Sequence, residues 1–165
     1  MFIDFEKMPI NSRIWIYQAD RKLTANESNK ASYFIKSEIE GWGAHGTPLS
    51  ASFKIEYDRF VVIALDENVA QASGCSIDAS THWLKQLGEE YGINFFDRSL
   101  AYFENKEIKT VSVFQLKKAV EEGVLKSDTI VFNNTATKYT DLINKWKVRA
   151  DSFAYTSKFF KAIAV

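Results

Sequence analysis

Phe60-Val61-Val62-Ile63-Ala64-Leu65 is a run of six apolar residues set between Asp58-Arg59 and Asp66-Glu67. It is short for a helix and rich in β-branched side chains, so it reads as a strand. A strand that is apolar on both faces is a central strand covered on both sides. The residues before it, Leu49 to Tyr57, alternate instead. Leu49, Ala51, Phe53, Ile55 and Tyr57 fall on one side, the pattern of a half-buried strand. With Asp58-Arg59 as a tight connection, the two strands predict an antiparallel hairpin.

Upstream, Arg13-Ile14-Trp15-Ile16-Tyr17 is a compact β-branched and aromatic run, read as a first strand. Thr24 and Glu27 form a T-x-x-E capping box. The helix they open places Ala31, Phe34, Ile35, Ile39 and Trp42 on one face, and Gly41 to Pro48 end it. Downstream, a helix over about Ser76 to Tyr91 carries the stripe Ile77, Leu84, Leu87 and Tyr91 and closes at Gly92. Leu100 to Phe103 and Ile108 to Val113 predict a second hairpin. Ser112 and Gln115 form another capping box, opening a short helix that stops at Gly123. Thr129 to Phe132 reads as a strand, and Tyr139, Leu142, Ile143 and Trp146 are spaced for an amphipathic helix.

The order β-α-β-β-α-β predicts an α+β fold, a mainly antiparallel sheet with helices packed on one face and a ferredoxin-like split β-α-β N-terminal part. One domain is expected over residues 1–165, with 1–111 as the ferredoxin-like core and 112–165 as a C-terminal elaboration. Phe153, Tyr155, Phe159 and Phe160 predict that the tail docks.

A chain of 165 residues, 46% apolar, buries a core without disulfides or metal. Thirteen Phe, seven Tyr and four Trp carry much of that core and also suit binding surfaces. Basic and acidic side chains number 21 each, so the whole chain lacks the electrostatic footprint of a nucleic-acid binder. The basic residues Lys145, Lys147, Arg149, Lys158 and Lys161 alternate with apolar ones, the mark of a solvated face. One cysteine excludes an internal disulfide and fits a reducing compartment. The N-terminus has no basic start followed by an apolar run, and no stretch approaches the roughly 18 apolar residues of a membrane span. A cytoplasmic protein is expected.

The chemistry of the chain concentrates at Ser73-Gly74-Cys75-Ser76-Ile77-Asp78. A thiol in the first turn of a helix feels the positive end of the helix dipole and unpaired N–H groups, both of which favour thiolate. Ser73 and Ser76 offer hydroxyls to cap the helix or hold an anion, and Gly74 admits close approach. Asp78 opposes the effect, because a negative charge disfavours thiolate. At 100° per residue, Cys75, Asp78 and His82 share a face opposite Ile77, Leu84 and Leu87. Cys75 and His82 stand about 10 Å apart along the helix, too far for a nucleophile–base hydrogen bond. His45, in a Gly-rich turn, is the other candidate base. The candidate catalytic pair is therefore Cys75 with His45, and the candidate ligand-binding residues are Ser73, Gly74, Ser76, Asp78 and His82.

Other signals lose to their context. Gly41-x-Gly43-x-x-Gly46 matches a dinucleotide fingerprint but follows a helix and precedes a strand, the reverse of what the fingerprint needs. No G-x-x-x-x-G-K-[ST] loop occurs, and two His and one Cys make no zinc signature. Asp66-Glu67 and Asn133-Asn134 read as loop and turn residues.

Phe5-Glu6-Lys7-Met8-Pro9, Ser12 to Ala19, Ser73 to Ser80 and Asp128-Thr129-Ile130-Val131-Phe132-Asn133-Asn134 together carry a resemblance. The chain resembles a family of short, uncharacterised bacterial proteins often labelled "ABC transporter ATPase", and the resemblance spans almost the whole chain. It implies nucleotide binding and hydrolysis and brings no catalytic residues with it. Without a complete catalytic constellation, the residues favour a non-enzymatic binding or interaction module. A small thiol-dependent enzyme or redox-sensitive protein using Cys75 stands second, and the ATPase third. The expected partner is a small ligand or a protein, a second copy of the chain included. Nucleic acid, a membrane span, a metal and a cofactor are not expected.

Overall fold

The six residues of the apolar run are each fully buried, and they form the central strand of a three-stranded sheet. The computed structural model describes residues 1–163. In chain order the elements are β1 (Arg13–Gln18), α1 (Ala25–Glu40), β2 (Gly43–Ala44), β3 (Thr47–Pro48), β4 (Ala51–Glu56), β5 (Phe60–Leu65) and α2 (Gly74–Tyr91). They continue as β6 (Leu100–Glu104), β7 (Glu107–Val111), α3 (Leu116–Glu121), β8 (Ile130–Phe132), α4 (Tyr139–Lys145), β9 (Lys147–Arg149) and α5 (Ser157–Ile163). The chain forms an α+β fold of antiparallel sheets, divided into two compact units. The first holds Met1–Asp97 and Thr135–Leu142; the second holds Arg98–Asn134 and the chain from Ile143 onward.

In the first unit the sheet order is β1-β5-β4, both pairs antiparallel. β1 and β4, joined through α1, thus lie on either side of β5. Alternation along β5 sends Val61, Ile63 and Leu65 toward α1 and α2, where Ile35, Ile39, Leu84 and Leu87 complete the core. Val62 and Ala64 face the other way, against Phe5, Met8 and Ala136. The two long helices cover one face, and the N-terminal segment with its 3-10 turn at Phe5–Lys7 covers the other, joined by Tyr139 and Leu142. Each fully buried Val, Leu or Ile is worth on the order of 1.5–3 kcal/mol relative to exposure, which is why this strand anchors the unit.

The outer edge of β1 carries two isolated bridges rather than a strand, Arg13 with Lys138 and Gln18 with Phe96. The hairpin read at Leu100 to Val113 forms as β6 and β7, paired from Leu100↔Val111 to Glu104↔Glu107. It belongs to the second unit, in a four-stranded sheet of order β7-β6-β8-β9. What recruits it is the pairing of Tyr102 with Val131, a partner far along the chain.

In the second unit Leu100, Tyr102 and Val131 meet Leu116, Val120 and Leu125. Phe153 is buried in this core and Phe159 and Phe160 pack partly against it, so these three of the four tail aromatics dock, while Tyr155 stays exposed with its ring against that of Phe153. Phe103, Phe132 and Trp146 form a run of ring contacts with centroids 5.0 Å apart at each step. Trp146 does not continue α4, as its spacing suggested. It stands at the entry to the short strand β9 and donates its Nε1–H to Asn134 Oδ1 at 2.9 Å.

Candidate functional site

Helix α2 has two ends, and they are built differently. At its start Ser73 is the N-cap, with Ser76 three residues on. The Ser76 N–H donates to Ser73 Oγ at 3.2 Å, and the Ser73 N–H donates to Ser76 Oγ at 2.8 Å. The Ser76 hydroxyl in turn donates to the Ser73 carbonyl at 2.8 Å. Both hydroxyls that an anion would need are thus taken up in capping. Trp42, at the end of α1, donates its indole N–H to the Ser76 carbonyl at 2.9 Å, and its ring meets that of Trp83 at 5.1 Å. The turn is therefore held by α1 and by its own cap.

Cys75 itself is exposed and free. Asp78 and His82 are exposed with it, so the face that the three share is a solvated one. A Cβ at Gly74 would stand in open space, so nothing approaches the backbone there. His45 is exposed at the tip of the β2–β3 hairpin, with Gly46 beside it, at φ of 51° and 79°. Two successive left-handed residues are what a two-residue hairpin turn demands. The Gly41 to Gly46 motif is accordingly a helix stop followed by a hairpin. Gly43 suits the hairpin, because a Cβ there would crowd the Thr47 carbonyl oxygen at 3.1 Å. Among the described residues neither Cys75, His45 nor His82 makes a side-chain hydrogen bond or ion pair. The structure does not bring Cys75 and a base into hydrogen-bonding contact.

At its other end α2 is fixed by close packing. Gly92 closes the helix in the left-handed conformation, donating to the Gly88 carbonyl. A Cβ on Gly88 would lie 2.4 Å from the Ile93 carbonyl oxygen, so only glycine fits. Arg21 reaches across and donates to the Tyr91 carbonyl at 2.9 Å. The same guanidinium grips Glu27 through two bonds of 2.9 Å. That grip, with the Thr24 N–H, holds the Glu27 carboxyl down to about 2.

Beside this end, α1 and α2 enclose an open groove of about 420 Å³. Tyr33 and Phe34 line it from α1; Leu87, Glu90 and Tyr91 line it from α2. Tyr33 is 81% exposed, whereas Leu87, at 1%, is its floor. Burial, followed by the charges of Glu90 and Glu27, pushes the Tyr91 hydroxyl above the ordinary tyrosine range. A second open concavity of about 430 Å³ lies on the far side of the same helix end, lined by Asp20, Lys85, Glu89 and Asn94 over Phe95 and Phe96.

No protein-family model, no curated protein and no solved structure matches this chain. The site is therefore read from its own geometry.

Sequence reasoning passed over Tyr33. The signal was there: at 100° per residue Tyr33 stands about 160° from Ile35, so a large aromatic ring sits on the polar side of α1. By spacing, Phe34 and Tyr91 belong to the apolar stripes of their helices. Both are half-buried, with one side on the core and the other on the groove. Among the described residues no cluster of His, Cys, Asp and Glu is arranged to hold a metal ion, and no helix is long and apolar enough to cross a membrane.

Proposed function

We propose that this protein is a non-enzymatic binding module of the cytoplasm and that the α1–α2 groove is its contact surface in the first unit. The observation that carries this is Tyr33, a large aromatic side chain 81% exposed on the wall of a groove floored by buried Leu87. An exposed polar side chain is the ordinary condition of a protein surface; a ring held in water beside other apolar side chains marks a place of contact. Among the described residues the thiol reading of Cys75 has no base in contact to support it, and for the ATPase reading the sequence holds no G-x-x-x-x-G-K-[ST] loop. The sheet order β1-β5-β4 with its α1 crossover is, in our reading, the split β-α-β half of a ferredoxin-like arrangement.

The test is site-specific photo-cross-linking in living cells. A photoreactive residue at position 33 should give a discrete adduct, small ligand or protein, and one at Lys7, exposed in the N-terminal turn on the opposite face of the sheet, should not. Identical patterns at both positions, or no adduct at 33, would count against the groove.

A further inference from the structure

We infer that the α1–α2 groove takes a small organic cation of the quaternary-ammonium class, held against the rings of Tyr33, Phe34 and Tyr91. This rests on the groove being a contact surface, as proposed above, and adds the chemistry of its ligand.

The first argument is the state of the rings. Aromatic side chains in this protein are mostly engaged with one another or with a cation: Trp15, Trp42 and Trp83 form one chain of ring contacts, and Arg13 lies 4.7 Å over Trp15. Tyr33, Phe34 and Tyr91 differ. Among the described residues none of the three is paired with another ring or capped by a cation. Three rings that no other ring or cation engages line one concavity; an aromatic ring attracts a cation over its face through its quadrupole, and a weakly hydrated alkylated ammonium loses least on leaving water. The size fits, since a groove of about 420 Å³ lies in the range that holds small ligands.

The second argument is charge. The C-terminal end of α2, the negative end of an 18-residue helix, has no basic residue in its last turn. It carries Glu89 and Glu90 there instead, and Glu90 lines the groove. Arg21 reaches this end, but Glu27 grips its guanidinium, so the pair together adds little positive field. Tyr91 and Glu90 stand side by side on the groove wall, so a cation against the Tyr91 ring would lie close to a carboxylate. Among the described residues that line the groove, Lys30 of α1 opposes this and repels a cation.

The experiment is a titration of the full-length protein with choline, read from the aromatic NMR resonances of Tyr33 and Tyr91. The control is 3,3-dimethylbutan-1-ol, the same shape without the charge. The expected result is saturable binding of choline, with the neutral alcohol weaker by about fivefold or more. Tyr33→Ala, at an exposed site that leaves the fold intact, should weaken choline by a similar factor, and Lys30→Gln should tighten it. Equal binding of the alcohol and choline would overturn the cation and leave the apolar groove standing. No binding of either, with the position-33 adduct also absent, would remove both readings. A peptide bearing trimethyl-lysine that binds far more tightly than choline would overturn the small-molecule source.

Discussion

The two ends of α2 stand in contrast. The N-terminal turn holds what a reactive thiol needs on paper: a cysteine, a helix dipole, two serines and a glycine. In the folded protein the serines cap each other, the thiol faces water, and no base is in contact with it. The C-terminal end holds no residue of obvious chemistry. Yet there the helix is fixed by a glycine that no other residue can replace, gripped by an ion pair, and flanked by an exposed ring over a buried floor. Residue types that suggest chemistry matter only where geometry gathers them. Exposed aspartate and histidine are ordinary, and the exposed Cys75 stands on an open face, whereas the exposed Tyr33 stands over buried Leu87 beside Phe34 and Tyr91.

If the C-terminal end is the packed one, damage there should be the most costly. Leu87→Ala removes a side chain 1% exposed that serves both the core and the groove floor. Urea unfolding should show a loss of about 2–5 kcal/mol. A loss below about 1 kcal/mol would mean that the groove floor collapses freely and the contrast between the two ends is weaker than drawn.

Ser73→Ala tests the capped end. It deletes the hydroxyl that accepts from the Ser76 N–H, while α2 keeps Trp42 on the Ser76 carbonyl. A destabilisation of about 1 kcal/mol is expected, the ordinary value of an N-cap. A loss as large as that of Leu87→Ala would show that the Cys75 turn is held by more than its cap.

A smaller effect should follow pH. The folded-state value of Glu27, about 2, lies below the ordinary glutamate value of 4.5, because Arg21 and the Thr24 N–H favour the carboxylate. A depressed carboxyl stabilises the fold fully above the unfolded value and ceases to do so as pH falls through the folded one. The Tm difference between wild type and Glu27→Gln should therefore shrink between about pH 5 and about pH 2. A difference that stays constant across that window would mean that Arg21 is not bound to Glu27 in solution.

Much of this was legible in the chain. The Phe60–Leu65 run identified the central strand, because a strand with no polar face has nowhere to go but the middle of a sheet. Thr24 with Glu27 identified the start of α1, and Gly92 the end of α2, because caps are local chemistry. What sequence could not carry was long-range choice. β6 pairs with β8, some thirty residues on, and no property of Leu100 to Glu104 alone distinguishes that partner from the edge of β1. Trp146 reads as a fourth helical position by spacing, yet it leaves the helix to reach Asn134 and Phe132. At the site, the shared face of Cys75, Asp78 and His82 followed from one helical wheel. The groove did not, because it needs two helices at once.

Cys75→Ser should change least. The thiol is exposed and makes no side-chain hydrogen bond to a described residue, so stability should move by less than about 0.5 kcal/mol, the range of a plain surface substitution. Alkylation rates carry more information than stability here. A free cysteine on an open face is as accessible in the native protein as in urea, so the two rates should agree to within about threefold. Choline should leave them unchanged, because the groove lies at the other end of an 18-residue helix, about 27 Å long. Native labelling many times faster than in urea would give the N-terminal turn the activated thiol that its ingredients suggest. It would also reverse the contrast, making the exposed face of α2 the reactive one and the aromatic groove an accessory to it.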